Sequence, residues 1–88
     1  MAEAIYLPPA RNFIKKLNDK KLKNLIRENI EEIKKDYEIG SLKTGDLSGI
    51  YSLDVFYNKT NYEIAYKTVI RDDKVIVVIM IGTREKLL

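Results

Sequence analysis

The spacing of apolar residues changes once along this chain, and the change limits what the chain can fold into. Between residues 10 and 37 apolar side chains recur every three or four positions, which is the period of an amphipathic helix. From residue 50 they largely alternate with polar side chains, which is the period of a half-buried strand. A helical part followed by an extended part is typical of an α+β domain with helices packed on a sheet.

The first half predicts a strand and two helices. The segment EAIYL (residues 3–7) is predicted to be a strand, and the two prolines after it suit the first turn of a helix. The first helix is indicated by an apolar stripe of Ala10, Phe13, Ile14 and Leu17. The second is indicated by a longer stripe of Leu22, Leu25, Ile26, Ile30, Ile33 and Tyr37. Asn18 and Asp19 interrupt the stripe and can cap the second helix, and the short connection predicts an antiparallel helical hairpin.

The second half predicts a three-stranded antiparallel meander. IYSLDVFY (50–57) and YEIAYKTVI (62–70) are predicted strands, joined by a turn over Asn58–Asn61. A second turn at RDD leads to KVIVVIMI (74–81), which is apolar at nearly every position, as expected of a central strand covered on both faces. The predicted fold is one α+β domain over residues 1–88: an N-terminal strand, the helical hairpin and the meander.

Composition excludes several kinds of site. The chain has no cysteine and no histidine, so catalysis must use Asp, Glu, Lys, Arg, Tyr, Ser or Thr, and we expect no metal and no cofactor. The first residues show no secretory signal, and no apolar run is long enough to span a bilayer. We therefore expect a cytoplasmic protein without a membrane partner.

Positive charge is concentrated in the predicted helices. The net charge is +3, and residues 11–35 contain nine basic and four acidic residues. Such a surface attracts RNA or an acidic protein, although a solvated helix surface has the same appearance. The candidate RNA-binding residues are Lys15, Lys16, Lys20, Lys21, Lys23 and Arg27.

One face of the predicted hairpin is unusually polar. Alternation places Ser52, Asp54 and Phe56 on the same face as Glu63, Ala65 and Lys67. Three interpretations of the two carboxylates are open: ion pairs with Lys67, Lys43 or Arg84, a docking surface for a basic partner, or a general acid/base couple. Arg84 likewise either binds a phosphate or ties the C-terminal segment to a carboxylate.

The string LKTGDLSGIYSL, followed by NYEIAY and DDKVIVVIMIGTRE, resembles the RelE/ParE superfamily, the toxins of type II toxin–antitoxin pairs. The resemblance covers nearly the whole chain in order. It rests on Leu42, Lys43, Gly45 to Gly49, Tyr51, Tyr62, Tyr66, Ile81, Gly82, Arg84 and Glu85.

The resemblance implies a toxin neutralised by a protein antitoxin, which cuts mRNA at the ribosome or poisons DNA gyrase. RNA-cutting members have a basic groove, whereas this chain has Ser52, Asp54 and Glu63 at the corresponding strand positions. No tyrosine or histidine follows Arg84. The candidate catalytic residues are therefore Arg84, Lys43, Asp54 and Glu63. In this fold an antitoxin typically wraps over the sheet and the helical hairpin, which makes Phe56 a candidate anchor.

Three hypotheses follow from these residues. The first is a ribosome-associated endoribonuclease toxin that needs no metal. The second keeps the fold without RNA cleavage, as a toxin that binds gyrase or another protein, or as a degenerate member that only binds an antitoxin. The third is a basic RNA-binding domain without an antitoxin.

Overall fold

The chain forms a five-stranded sheet with two helices packed on one of its faces. The structure is a computed structural model that describes residues 2–43, 49–70 and 73–84. The helices are α1 (Pro8–Lys16) and α2 (Lys20–Lys35), and a 3₁₀ turn covers Tyr37–Ile39. The strands are β1 (Glu3–Tyr6), β2 (Ser41–Leu42), β3 (Ile50–Tyr57), β4 (Thr60–Ile70) and β5 (Lys74–Thr83).

The strand order is β1-β5-β4-β3-β2, with β1 parallel to β5 and the other neighbours antiparallel. This arrangement confirms the predicted α+β fold, with its N-terminal strand, two helices and antiparallel meander. The sequence analysis did not predict β2 or the 3₁₀ turn, because elements of two and three residues are too short to show a period.

The turn between β3 and β4 is shorter than predicted. It consists of Asn58 and Lys59 alone, with φ angles of 48° and 63°, as in the left-handed turns that join tight hairpins. Thr60 and Asn61 therefore belong to β4 rather than to the turn. Because the observed turn is two residues shorter than the predicted one, an even number, every side chain still lies on its predicted face.

The core lies between the helices and the sheet face that they cover. The helices contribute Ala10, Leu22, Ile26, Ile30 and Ile33, all of which were predicted to lie on the apolar stripes. The strands contribute Val55, Ile64, Tyr66, Ile76, Val78 and Ile81. Phe13, Ile14, Leu17 and Leu25 pack around this cluster and are partly buried.

The prediction that the strand at 74–81 is covered on both faces is wrong. In the described part of the chain both helices pack on the same face, and the opposite face of β5 buries Val75 but keeps Val77 half-buried and Met80 40 % exposed. The strand is apolar on both sides although a helix covers only one side within these residues. An apolar run thus predicts a strand, but it does not predict which faces of that strand are covered.

Some predicted features lie outside the described residues. These are most of the GDLSG turn (residues 45–48), the turn residues Arg71 and Asp72, and Glu85. Within the described part, neither helix combines the length and the apolar character needed to cross a membrane.

Asp19 caps α2 and also ties that helix to the β3–β4 hairpin. Its carboxylate accepts the backbone N–H groups of Lys21 and Leu22 and the hydroxyl of Tyr57 at 3.0 Å. The Leu22 hydrogen bond, followed by that of Tyr57, holds the pKa of Asp19 below its usual value of 3.8.

We expect Asp19→Ala to lower the melting temperature by several degrees near neutral pH, because the cap and the tie to the hairpin are lost together. A carboxyl group whose pKa is lower in the folded than in the unfolded protein stabilises the fold at pH values above its unfolded-state pKa. This stabilisation is lost as the pH falls through its folded-state pKa. The difference from wild type should therefore shrink below about pH 4. Thermal melts across pH measure this, with Asn18→Ala as the neighbouring control; a constant difference would contradict it.

Candidate active site

A cleft opens on the sheet face that the helices leave uncovered, next to the short edge strand β2. It encloses about 360 Å³. Its polar walls come from Ser52, Asp54, Glu63, Lys43 and Arg84, and its apolar rim includes Ile39 and Leu42, which are 42 % and 55 % exposed.

Register brings these side chains together from four parts of the chain. Asp54 and Glu63 are direct cross-strand partners in β3 and β4, and Ser52 is one pair further along the same face. Lys43 follows β2, whose Ser41 pairs with Ser52, and Arg84 follows β5. Two carboxylates directly opposite each other repel, so this face is stable only if cations accompany them.

Glu63 is the unusual member of the cleft because it is a carboxylate with only 4 % of its surface exposed. Its Oε2 atom accepts a hydrogen bond from the Ser52 hydroxyl, which is also buried. The same oxygen accepts one from the Lys43 ammonium at 3.2 Å. A buried carboxylate is stable only with such partners, and here they occupy one of its two oxygens.

Opposing effects act on the ionisation of Glu63. Burial raises its pKa, while the hydrogen bonds from Ser52 and Lys43, with a contribution from the charge of Arg84, lower it. The lowering effects prevail, so the pKa lies below its usual value of 4.5. Glu63 is therefore an anion at neutral pH, held in one orientation.

Arg84 and Asp54 form a looser pair at the mouth of the cleft. The distance from Arg84 Nη1 to Asp54 Oδ2 is 3.3 Å, and the two side chains are 53 % and 50 % exposed. Exposed pairs of this kind contribute about 0–1 kcal/mol, so an incoming anion could displace Asp54 from the guanidinium at little cost.

The structure brings the four candidate catalytic residues, Arg84, Lys43, Asp54 and Glu63, into this one cleft. Both carboxylates are ion-paired, as the first interpretation required, and the partners are Lys43 and Arg84. Lys67 lies exposed on the same face but pairs with neither carboxylate among the described residues. Whether any of the four takes part in a reaction stays a prediction.

Sequence reasoning missed two parts of the site. Ser52 was noted on the polar face but was not named as a site residue. The exposed Ile39 and Leu42 at the rim were also missed, since they belong to the short elements that carry no period. A hydroxyl and a carboxylate facing the same way on neighbouring strands was the available signal for Ser52.

The candidate RNA-binding residues lie on the helices, and none of them lines the cleft. Lys15 and Arg27 border a second cavity of about 480 Å³, together with Arg11, Tyr6 and Ile14. Lys16, Lys20 and Lys21 are exposed and Lys23 is half-buried. The cleft and this basic surface are therefore separate regions of the molecule. Among the described residues no three acidic side chains gather into a possible metal site.

Structures of toxin–antitoxin proteins have the same fold as this chain. The intact E. coli RelBE toxin–antitoxin complex includes a chain with a TM-score of 0.74 and 18 % identity, covering 93 % of this chain and 95 % of that one. A double arginine-to-alanine mutant of E. coli toxin RelE in the free state has a TM-score of 0.74 and 21 % identity, covering 98 % of this chain and 87 % of that one. The Mycobacterium tuberculosis RelBE2 toxin–antitoxin complex includes a chain with a TM-score of 0.69 and 17 % identity, covering 94 % of this chain and 98 % of that one. At these identities the likeness establishes the RelE-type fold.

The family follows from a separate comparison. Residues 5–88 match the family described as the ParE-like toxin of type II bacterial toxin–antitoxin systems. The chain belongs to this family, and it is a RelE/ParE-type toxin whose class acts together with a protein antitoxin. No curated protein sequence matches the chain.

Proposed function

We propose that this toxin arrests growth by cutting mRNA at the ribosome, without a metal. The observation that supports the proposal is the buried, ionised Glu63 at an open cleft, with Lys43 bonded to it and Arg84 at the mouth. A charged group is costly to bury, so one placed where solvent and ligands can enter is a candidate for chemistry.

RNA cleavage of this type needs a base, an acid and a cation. Glu63 accepts the proton of the 2′-hydroxyl, and the 2′-oxygen attacks the adjacent phosphorus. The bond from phosphorus to the 5′-oxygen then breaks, leaving a 2′,3′-cyclic phosphate. The departing 5′-oxygen takes a proton from the Lys43 ammonium or from water. Arg84 leaves Asp54 and stabilises the charge on the phosphorane.

The basic helix surface supports the ribosomal part of the proposal. Lys15, Lys16, Lys20, Lys21, Lys23 and Arg27 would contact ribosomal RNA through its phosphates, away from the cleft. We expect ribosome binding to weaken steeply with salt, with a log–log slope that falls by about 0.7–0.9 for each lysine whose phosphate contact is removed. Sedimentation of Lys20→Ala and Lys21→Ala with ribosomes at several salt concentrations measures this. Equal slopes for variants and wild type would assign ribosome binding to another surface.

A second candidate is a toxin that binds DNA gyrase or another protein and cuts no RNA. One observation favours it: each cation in the cleft faces a carboxylate, so the four charged groups sum to zero and a phosphate gains little net attraction. A protein ligand would instead meet a neutral cleft with an apolar rim. The third hypothesis, an RNA-binding domain without an antitoxin, is disfavoured by membership of a toxin–antitoxin family.

Conditional expression separates the two candidates. The toxin is induced alone and together with its antitoxin, while mRNA 5′ ends and plasmid supercoiling are measured in the same cultures. The nuclease proposal expects arrest with new mRNA 5′ ends and normal supercoiling. Arrest with intact messages and altered supercoiling would favour the gyrase candidate. No arrest in either culture would leave only antitoxin binding.

The state of Glu63 predicts the pH dependence of cleavage. Because its pKa is lowered, the base stays ionised well into the acid range, and cleavage by purified toxin should fall only below about pH 4.5. Lys43→Ala removes a lowering contribution, so the acid limb should move to higher pH. Rates of cleavage of ribosome-bound mRNA by wild type and by Lys43→Ala across this pH range, with folding of the toxin checked by circular dichroism, test this. An acid limb that the variant leaves in place would exclude Glu63 as the base.

A further inference from the structure

A second cavity lies between the two helices, away from the cleft beside β2. It encloses about 480 Å³ and is lined by Tyr6 of β1, by Arg11, Ile14 and Lys15 of α1, and by Arg27 of α2. None of these residues lines the cleft. Small-molecule sites typically enclose about 300–1,000 Å³, so the cavity is large enough for a ligand of that kind.

The cavity gathers positive charge without a matching carboxylate. Three of its five lining residues are cations, and none is acidic. Arg11 and Lys15 lie one turn apart on α1, and Arg27 reaches the same cavity from α2. None of the three forms an ion pair in the part of the chain that the structure describes. Because like charges repel, an anion in the cavity would relieve this repulsion as well as bind to the cations.

The remaining wall of the cavity is aliphatic and aromatic. Ile14 and Tyr6 are half-buried and pack against the core. Burial raises the pKa of Tyr6 above its usual value of 10.0, although the charges of Lys34 and Arg27 lower it, so the phenol is neutral at pH 7. The charge of Glu31 also acts on this phenol, but Glu31 is already paired with Lys34 at 2.8 Å. The cavity therefore combines an apolar wall with three exposed cations.

This combination fits a ligand with two unlike parts. Guanidinium groups pair with phosphate oxygens through two parallel hydrogen bonds, and three cations suit a group with several negative charges. An aromatic ring and an aliphatic side chain bind a flat apolar group, such as a nucleobase, through its face. A nucleoside polyphosphate has both parts, whereas an inorganic anion would leave the apolar wall without a contact.

We propose that the cavity between α1 and α2 binds a free nucleoside polyphosphate, with its phosphates on Arg11, Lys15 and Arg27 and its base against Tyr6 and Ile14. The site is additional to the cleft, and its occupancy does not depend on the proposed nuclease activity. Lys15 and Arg27 are also among the residues proposed to contact ribosomal RNA, whose phosphates have the same chemistry. The experiment must therefore distinguish a free nucleotide from the backbone of RNA.

Calorimetric titration of the purified toxin tests the proposal. The probes are ATP, adenosine, inorganic triphosphate and a short 2′-O-methyl RNA that cannot be cleaved, all without divalent cations. We expect ATP to bind about tenfold or more tightly than adenosine or triphosphate, because only ATP contacts both the cations and the apolar wall. Triphosphate that binds as tightly as ATP would show a nonspecific attraction of anions and would overturn the proposal. Binding of the RNA without binding of ATP would assign these cations to the RNA backbone and would overturn it as well.

A matched pair of arginine variants locates the bound nucleotide. Arg27→Gln removes a cation from the cavity, and Arg84→Gln removes the cation at the mouth of the cleft, the other place where a phosphate could bind. Both side chains are exposed, so both variants should remain folded. We expect Arg27→Gln to weaken ATP binding by about tenfold or more and Arg84→Gln to bind ATP as wild type does. Unchanged binding by Arg27→Gln, or loss of binding by Arg84→Gln alone, would place the nucleotide elsewhere and overturn the proposal.

Discussion

Glu63→Gln should abolish mRNA cleavage and growth arrest while leaving the protein folded. The amide has the shape of the carboxylate and can still accept the Ser52 hydrogen bond, but it cannot take a proton from the 2′-hydroxyl. Loss of a general base typically costs about 10²–10⁴-fold in rate. The measurement is the rate of cleavage of ribosome-bound mRNA, alongside colony formation after induction.

Controls separate loss of chemistry from loss of folding. Glu28→Gln removes a carboxylate from the exposed face of α2 and should keep full activity. Thermal melts show whether Glu63→Gln remains folded at the assay temperature. Arrest by Glu63→Gln at full strength would exclude its role as the base.

Arg84 provides an independent test of the same mechanism. Arg84→Ala removes the cation at the mouth of the cleft and should also prevent arrest, whereas Arg84→Lys should retain part of the activity. Since its bridge to Asp54 is exposed, the substitution should change stability by no more than about 1 kcal/mol. Arg11→Ala removes an arginine that lies outside the cleft and serves as the matched control. If Arg84→Ala arrests growth as wild type does, Arg84 does not bind the phosphate.

Tyr66→Phe should destabilise the fold by about 1–3 kcal/mol, because one hydroxyl makes two hydrogen bonds to the backbone. Tyr66 is fully buried, and its hydroxyl donates to the Tyr37 carbonyl at 2.6 Å and accepts from the Gly40 N–H at 3.0 Å. Phenylalanine leaves both backbone groups without that partner inside the protein. Urea unfolding measures the change in the free energy of unfolding, provided that its dependence on urea concentration is the same for the variant and wild type.

The neighbouring tyrosine provides the control for this effect. The Tyr51 ring stacks on Tyr66 with centroids 5.6 Å apart, but its hydroxyl makes no hydrogen bond within the described residues. Tyr51→Phe should therefore cost less than about 1 kcal/mol. Equal losses for the two variants would mean that the rings, and not the hydroxyl of Tyr66, stabilise this region.

The Tyr66 hydroxyl also links the core to the cleft. It holds the segment from Tyr37 to Gly40, which leads into β2 and then to Lys43. A β-carbon at Gly40 would lie 2.8 Å from the Ser52 carbonyl oxygen, so this close approach requires glycine. Tyr66→Phe should thus loosen Lys43 as well as the core, and in the proposed mechanism it should reduce cleavage even where the protein remains folded.

The faces of the hairpin could be predicted because side chains alternate strictly along a strand. Asp54 and Glu63 were expected on one face with Ser52, and they lie there although the turn was placed two residues too long. Their convergence with Arg84 was a hypothesis that sequence could suggest but not locate, since Arg84 reaches the cleft only through the pairing of β5 with β4.

The amino-acid sequence by itself determined the α+β class, the buried stripes of both helices and the polar face of the hairpin, because these depend on periods of a few residues. Only the tertiary structure decided that Glu63 is buried against Ser52 and Lys43, that both helices pack on the same face of the sheet, and that β1 pairs with less than half of β5. These features depend on contacts between residues far apart in the chain, whose distances no local pattern specifies.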